Sequence, residues 1–87
     1  MPNGNIKTAT TTVCITGKGT LSHIMINGGT LGSVTIYDNS AGSGTEVAIV
    51  ASPLAGMLLI YDYDFNTGLT IVTAAATNLT WKSYHRV

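Results

Sequence analysis

Apolar residues along this chain follow a period of two rather than the period of a helix. No stretch places them at i, i+3, i+4 and i+7 over two turns. Thr, Val, Ile and Tyr are abundant, and Gly or Asn clusters break the chain at short intervals. Short strands punctuated by turn residues are the pattern of an all-β sandwich or barrel. The first expected strand covers 7–16, "KTATTTVCIT", where branching at Cβ favours extended backbone. Gly17-Lys18-Gly19 is a turn, and 20–27 is the second strand. Asn27-Gly28-Gly29 accepts positive φ at little cost and marks the next turn. Further strands are expected at 33–38, 45–51, 57–62, 69–74 and 78–86. Val34 and Ile36 share one face of the third, opposite Thr35 and Tyr37. Leu79 and Trp81 share one face of the last, opposite Thr80, Lys82 and Tyr84. Seven strands, or eight if the first is broken, predict an all-β fold, an antiparallel, jelly-roll-like β-sandwich over 13–87. Residues 1–12, polar and poor in apolar anchors, read as an N-terminal arm.

Length and charge narrow the picture. Eighty-seven residues make one domain. A chain this short buries only about 60–65% of its unfolded surface, so its stability margin is thin without a staple or an assembly partner. Cys14 is the one cysteine, so no intrachain disulfide forms, which fits a reducing compartment. Charged residues are 9% of the chain and the formal net charge is zero, against roughly 25% charged residues in an ordinary domain. Much of the surface is therefore expected to face other protein. Four scattered cations cannot neutralise a phosphate track, which argues against nucleic acid. The most apolar segment, "VAIVASPLAGMLLIY" at 47–61, is shorter than a spanning helix and is interrupted by Ser52, Pro53 and Gly56, so no membrane span is expected. The start, "MPNGNIKT", lacks the basic and apolar regions of a signal peptide, and the sequon Asn78-Leu79-Thr80 reads as chance.

The candidate chemistry is sparse. "DNSAGSG" at 38–44 lacks the Lys of a phosphate loop, the following helix of a dinucleotide site and the repeated carboxylates of a calcium loop. It reads as a mobile hairpin loop in which Asp38 or Asn39 caps the turn, and replacement of Ala41-Gly42-Ser43 is expected to be tolerated. Asp62 and Asp64 share a strand face but lack further ligands. His23, His85 and Cys14 show no metal-ligand spacing, and no Gly-x-Ser-x-Gly elbow exists. No catalytic, cofactor or metal residue is therefore assigned, and the chain is not expected to be an enzyme. Tyr37, Tyr61, Tyr63 and Tyr84, with Trp81 and Lys7, are the candidate interface residues, because tyrosine buries a large ring while keeping a polar tip.

"GSVTIYDNSAGSGTEVA" and "LIYDYDFNTGLTIVTAAATNLTWKSYH" resemble a pattern in small bacteriophage-encoded proteins. In that pattern a strand ends in Tyr-Asp-Asn, and a Gly/Ser loop leads to Gly-Thr. A later Tyr-Asp precedes Phe-x-x-Gly-Leu, and Ala-Thr-Asn opens the last strand. Trp81 stands where the pattern has a Val-like residue. The resemblance spans roughly residues 16–85 and implies a β-sandwich virion component made in the bacterial host cytoplasm. The implied role is a capsid cement or decoration protein, commonly a trimer, bound to the major capsid protein or another virion protein. The competing class is a carbohydrate- or receptor-binding module of a tail or fibre, using loop aromatics with Asp38, Asp62 or Asp64.

Overall fold

A computed structural model describes residues 3–85. Met1, Pro2, Arg86 and Val87 lie outside the described residues, so the final residue of the expected 78–86 strand is not placed. Among the described residues every regular element is a strand: β1 (Asn3–Ile6), β2 (Thr11–Thr16), β3 (Gly19–Gly29), β4 (Val34–Asp38), β5 (Thr45–Val50), β6 (Leu58–Phe65), β7 (Gly68–Thr73) and β8 (Thr77–His85). The expected 7–16 strand is reduced to β2, and residues 7–10 connect it to β1. Residues 3–6 do not form an arm. They pair with β8 from Asn3 opposite Lys82 to Ile6 opposite Leu79, and Ile6 is buried in the core.

The pairing follows one rule. β1 pairs with β8, β2 with β7, β3 with β6 and β4 with β5, all antiparallel. The chain is thus one long two-stranded ribbon, doubled back at residues 39–44 and rolled up. Rolling divides the ribbon into two four-stranded sheets, β1-β8-β3-β6 and β2-β7-β4-β5, joined internally by the β3–β8 and β4–β7 pairs. An eight-stranded double sheet with this connectivity is a jelly roll.

One layer of side chains fills the space between the sheets. Ile24, Ile26, Leu79 and Trp81 come from the first sheet and Val34, Ile36, Leu69 and Ile71 from the second, with Phe65 and Leu21 toward one end. β4 and β8 reach this layer by simple alternation, as their sequences require. β3 does not. Leu21 and Ile24 are both buried, three residues apart, because the register shifts between Leu21 and His23 against both neighbouring strands. That bulge absorbs the odd residue and turns "LSHI" from a broken pattern into a continuous inner face.

Buried threonines and one carboxylate hold the connections. The Thr73 hydroxyl donates to Thr8 O (2.6 Å) and accepts from Thr10 N (3.1 Å), fixing the β1–β2 loop. The Thr77 hydroxyl accepts from Gly32 N (3.0 Å), fixing the β3–β4 loop. Thr70 donates to Asn39 O (2.8 Å) at the doubling point. Asp38, the last residue of β4, accepts from the backbone N–H groups of Asn66 (3.1 Å) and Thr67 (2.9 Å), so one carboxylate closes the β6–β7 turn. No buried side-chain polar atom among the described residues lacks a partner.

The 38–44 segment therefore does more than turn the chain. The Asn39 amide donates to Ser43 O (2.7 Å), and Asn39 Oδ1 accepts from Ser40 N (2.8 Å). The loop folds back over the outer face of the second sheet. A Cβ at Gly42 would meet the Val72 and Thr11 methyls at 3.0 and 3.1 Å. The tolerance expected for Ala41-Gly42-Ser43 is thus narrower at Gly42.

Replacing Asp38 by Ala strips the β6–β7 turn of its acceptor and is expected to cost about 1–3 kcal/mol in urea unfolding, with Asp38→Asn losing less. Thr77→Val keeps the shape but leaves Gly32 N–H without its acceptor, with an expected cost of about 1–3 kcal/mol. A variant as stable as the parent in either case would show that these bonds do not hold their loops.

Candidate functional site

The two sides of the sandwich differ. At one side the edge strands β1 and β2 lie against each other, and both send a buried isoleucine into the core, Ile6 and Ile15. At the other side the edge strands are β5 and β6. β5, "TEVAIV", has no fully buried residue, and β6, "LLIYDYDF", has only Phe65. Val47, Ala48, Val50, Met57, Leu59 and Tyr61 pack against the core yet stay partly exposed, because among the described residues no further strand lies beyond β5 and β6. Outside them, Leu58 is 50%, Ile60 70%, Ile49 55% and Leu54 63% exposed. Isolated surface apolar residues are ordinary; here Leu58 and Ile60 lie on the outer face of β6 and Ile49 on the outer face of β5, in the other sheet, so they flank the open side.

Local sequence sets up this side. Leu54–Met57 is a tight turn, with Met57 N donating to Leu54 O (3.1 Å) and Gly56 at φ +84°. Positive φ there suits glycine. Gly56 N then donates to Ile26 O (2.7 Å) and Met57 O accepts from Ile26 N (2.8 Å), so Gly56 and Met57 together oppose Ile26 as a glycine bulge and launch β6 along β3. Asp62, at φ +48°, bends the strand again further on.

The tyrosines named from the sequence are not gathered. Tyr37 lies on the outer face of the second sheet, opposite Thr70 and Glu46. Tyr61 and Tyr63 are half-buried on β6, on the inward-pointing alternation, and Tyr61 borders the open side. Burial holds the Tyr61 phenol above its usual value. Tyr84 is exposed on β8, with the Lys82 ammonium 5.9 Å from its ring centroid. Trp81 is a core residue opposite Gly4 of β1 and presents almost no surface. Lys7 is exposed in the β1–β2 loop, in the sheet-tethered segment rather than on an outward arm. The residues missed from the sequence are Ile49, Leu54, Leu58 and Ile60. The sequence places "MLLIY" in an expected strand at 57–62, and only the strand order makes that strand an edge.

The remaining polar candidates are occupied or apart. Asp62 and Asp64 both point outward from β6, and Asp64 accepts from the Thr20 hydroxyl (2.7 Å). His23 Nδ1 lies 3.0 Å from Ser22 Oγ within the β3 bulge, whereas Cys14 is in the other sheet and His85 ends β8. No group of three or more His, Cys, Asp or Glu side chains assembles among the described residues. Asn78, the sequon residue, accepts from Asn5 (2.8 Å) and Asn27 (3.2 Å), locking β1, β8 and β3 together on their outer face.

Burial pushes the Cys14 thiol up from 9.0 to about 12, against a smaller lowering by the Ile71 backbone. The folded protein thus favours the neutral thiol. Its contribution to stability is complete below about pH 9 and is lost as pH rises toward about 12. Native Cys14 is expected to react with a thiol-selective disulfide reagent at pH 8 more than about 100-fold more slowly than the unfolded chain, because the thiolate is the nucleophile. Equal rates would show that the thiol is neither buried nor shifted.

No protein family model, characterised protein or solved structure matches the chain.

Proposed function

We propose that this protein is a bacteriophage virion component, a capsid cement or decoration protein that binds between capsid subunits and stabilises the head. The observation that carries the reading is the open, apolar β5–β6 side on a chain with 9% charged residues. Such a surface gains by being covered, and cementing needs rigid strands and apolar contact rather than an active site. The resemblance over roughly residues 16–85 supplies the virion context. The jelly roll is compatible with it, since viral capsid domains use this architecture, but lectin domains use it too, and fold alone does not choose between them. In this reading the protein is made in the host cytoplasm, self-associates, and docks on the major capsid protein or another virion protein.

The second reading, a carbohydrate- or receptor-binding module, is favoured by exposed Tyr84 beside Lys82. The dispersal of the tyrosines over different faces weakens it, because a sugar platform needs its rings together.

Purified protein added to undecorated shells of the capsid protein encoded alongside it is expected to co-sediment to saturation and to raise the temperature at which the shells come apart. No binding to the shells, together with glycan binding abolished by Tyr84→Ala, would replace the cement reading with the second one.

A further inference from the structure

We propose that β6 is a self-pairing edge, and that two copies of the chain join antiparallel through residues 57–61 about a twofold axis passing by Leu59. The proposal does not rest on the virion reading. It follows from which edges are protected and from the geometry of the one that is not.

The jelly roll leaves four edge strands, and three are blunted. β1 is four residues long and polar, "NGNI". β2 is rich in threonine and bulged between Val13 and Ile15. β5 opens with Thr45-Glu46 and is bulged against β4 at that end. Short length, polar side chains and bulges are the usual means of discouraging edge-to-edge pairing. β6 is the longest edge, at eight residues, and its protection is confined to one half. Asp62, with positive φ, and Asp64 guard the second half. The first half carries no charge and exposes Leu58 and Ile60.

The backbone of that half is aimed correctly. Met57 O bonds to Ile26 of β3. In an antiparallel ladder alternate residues direct their N–H and C=O groups to opposite neighbours, so Leu59 also faces β3, while Leu58 and Ile60 face away from it. Leu58 of one copy can therefore exchange both main-chain hydrogen bonds with Ile60 of the other. Leu59 meets Leu59 in the closer, non-hydrogen-bonded pair.

The side chains identify the partner as a second copy. On the outer face this register sets Leu58 beside Ile60, a good cross-strand pair. On the inner face it sets Leu59 beside Leu59 and Met57 beside Tyr61, so each core's open side is covered by the other. Asp62 falls opposite Gly56, beyond the apolar stretch, so no carboxylate faces its own copy. A twofold contact requires such self-complementarity. Leu58 and Ile60 contribute on the order of 200 Å² of exposed area, about a quarter of the ~800 Å² that each partner gives to a standard interface, and the half-exposed Met57, Leu59 and Tyr61 and the strand edge add to it.

The test uses the purified full chain alone. Sedimentation and native mass spectrometry at micromolar concentration are expected to show a dimer, and Ile60→Lys to raise its dissociation constant at least about tenfold. Ile60 points into solvent, so this variant should keep the parent's circular dichroism; Leu58→Lys is the second variant. In a Cys14→Ser background, Leu59→Cys is expected to form a disulfide-linked dimer under oxidised glutathione, because a non-hydrogen-bonded antiparallel pair brings Cα atoms to about 4.5 Å. A monomer, a trimer, a dimer indifferent to both lysine substitutions, or failure of the Leu59→Cys link would each overturn the proposal. A monomer would also remove self-association from the cement reading. Shell binding is read separately by co-sedimentation and holds or fails whatever the dimer does, so the two failures are distinguishable.

Discussion

Asp38 stands at the end of β4, where the chain begins to double back, and its carboxylate holds the turn between β6 and β7. The fold depends on this contact because β4–β5 is the only strand pair among the described residues joined by a short local loop. Every other pair in the ribbon joins segments far apart in sequence, and their closure entropy must be offset by contacts made late. Thr70 reinforces the same point by binding Asn39 O. The doubling point is thereby tied to the middle of the returning arm, which fixes the register from which the outer pairs follow.

A single apolar layer between two four-stranded sheets is the second constraint. A short chain cannot cover that layer on all sides. Here β1 and β2 close one side with Ile6 and Ile15, and the β5–β6 side remains open. Buried Thr73 and Thr77 sit where polar backbone from the loops meets the ends of the core, and buried Thr70 lies under the 39–44 loop on the outer face, so that enclosing these connections leaves no unpaired side-chain group among the described residues. The low charge content and the open side have the same consequence. The monomer keeps apolar area in water that association would remove, and self-pairing through β6 and docking on a larger protein surface are compatible ways of removing it.

The sequence by itself determined the all-β class, most strand positions and the inner faces of β4 and β8. Val34 with Ile36, and Leu79 with Trp81, alternate strictly, and the side-chain period of a strand is a local property. The role of Asn39 as a cap within its own loop was legible for the same reason. Tertiary structure alone decided the rest. The pairing of "NGNI" with β8 turned an expected arm into β1, because a short polar segment becomes a strand only when a neighbour supplies its hydrogen bonds. The β3 bulge that buries both Leu21 and Ile24 depends on register against β6 and β8. Trp81 went to the core although its size and type equally suit an interface. Above all, "MLLIY" has the composition of a fully buried strand and lies at an open edge. Whether an apolar run is interior or exposed depends on how many strands flank it, and that number comes from the rolling of the whole ribbon, not from any local residue pattern.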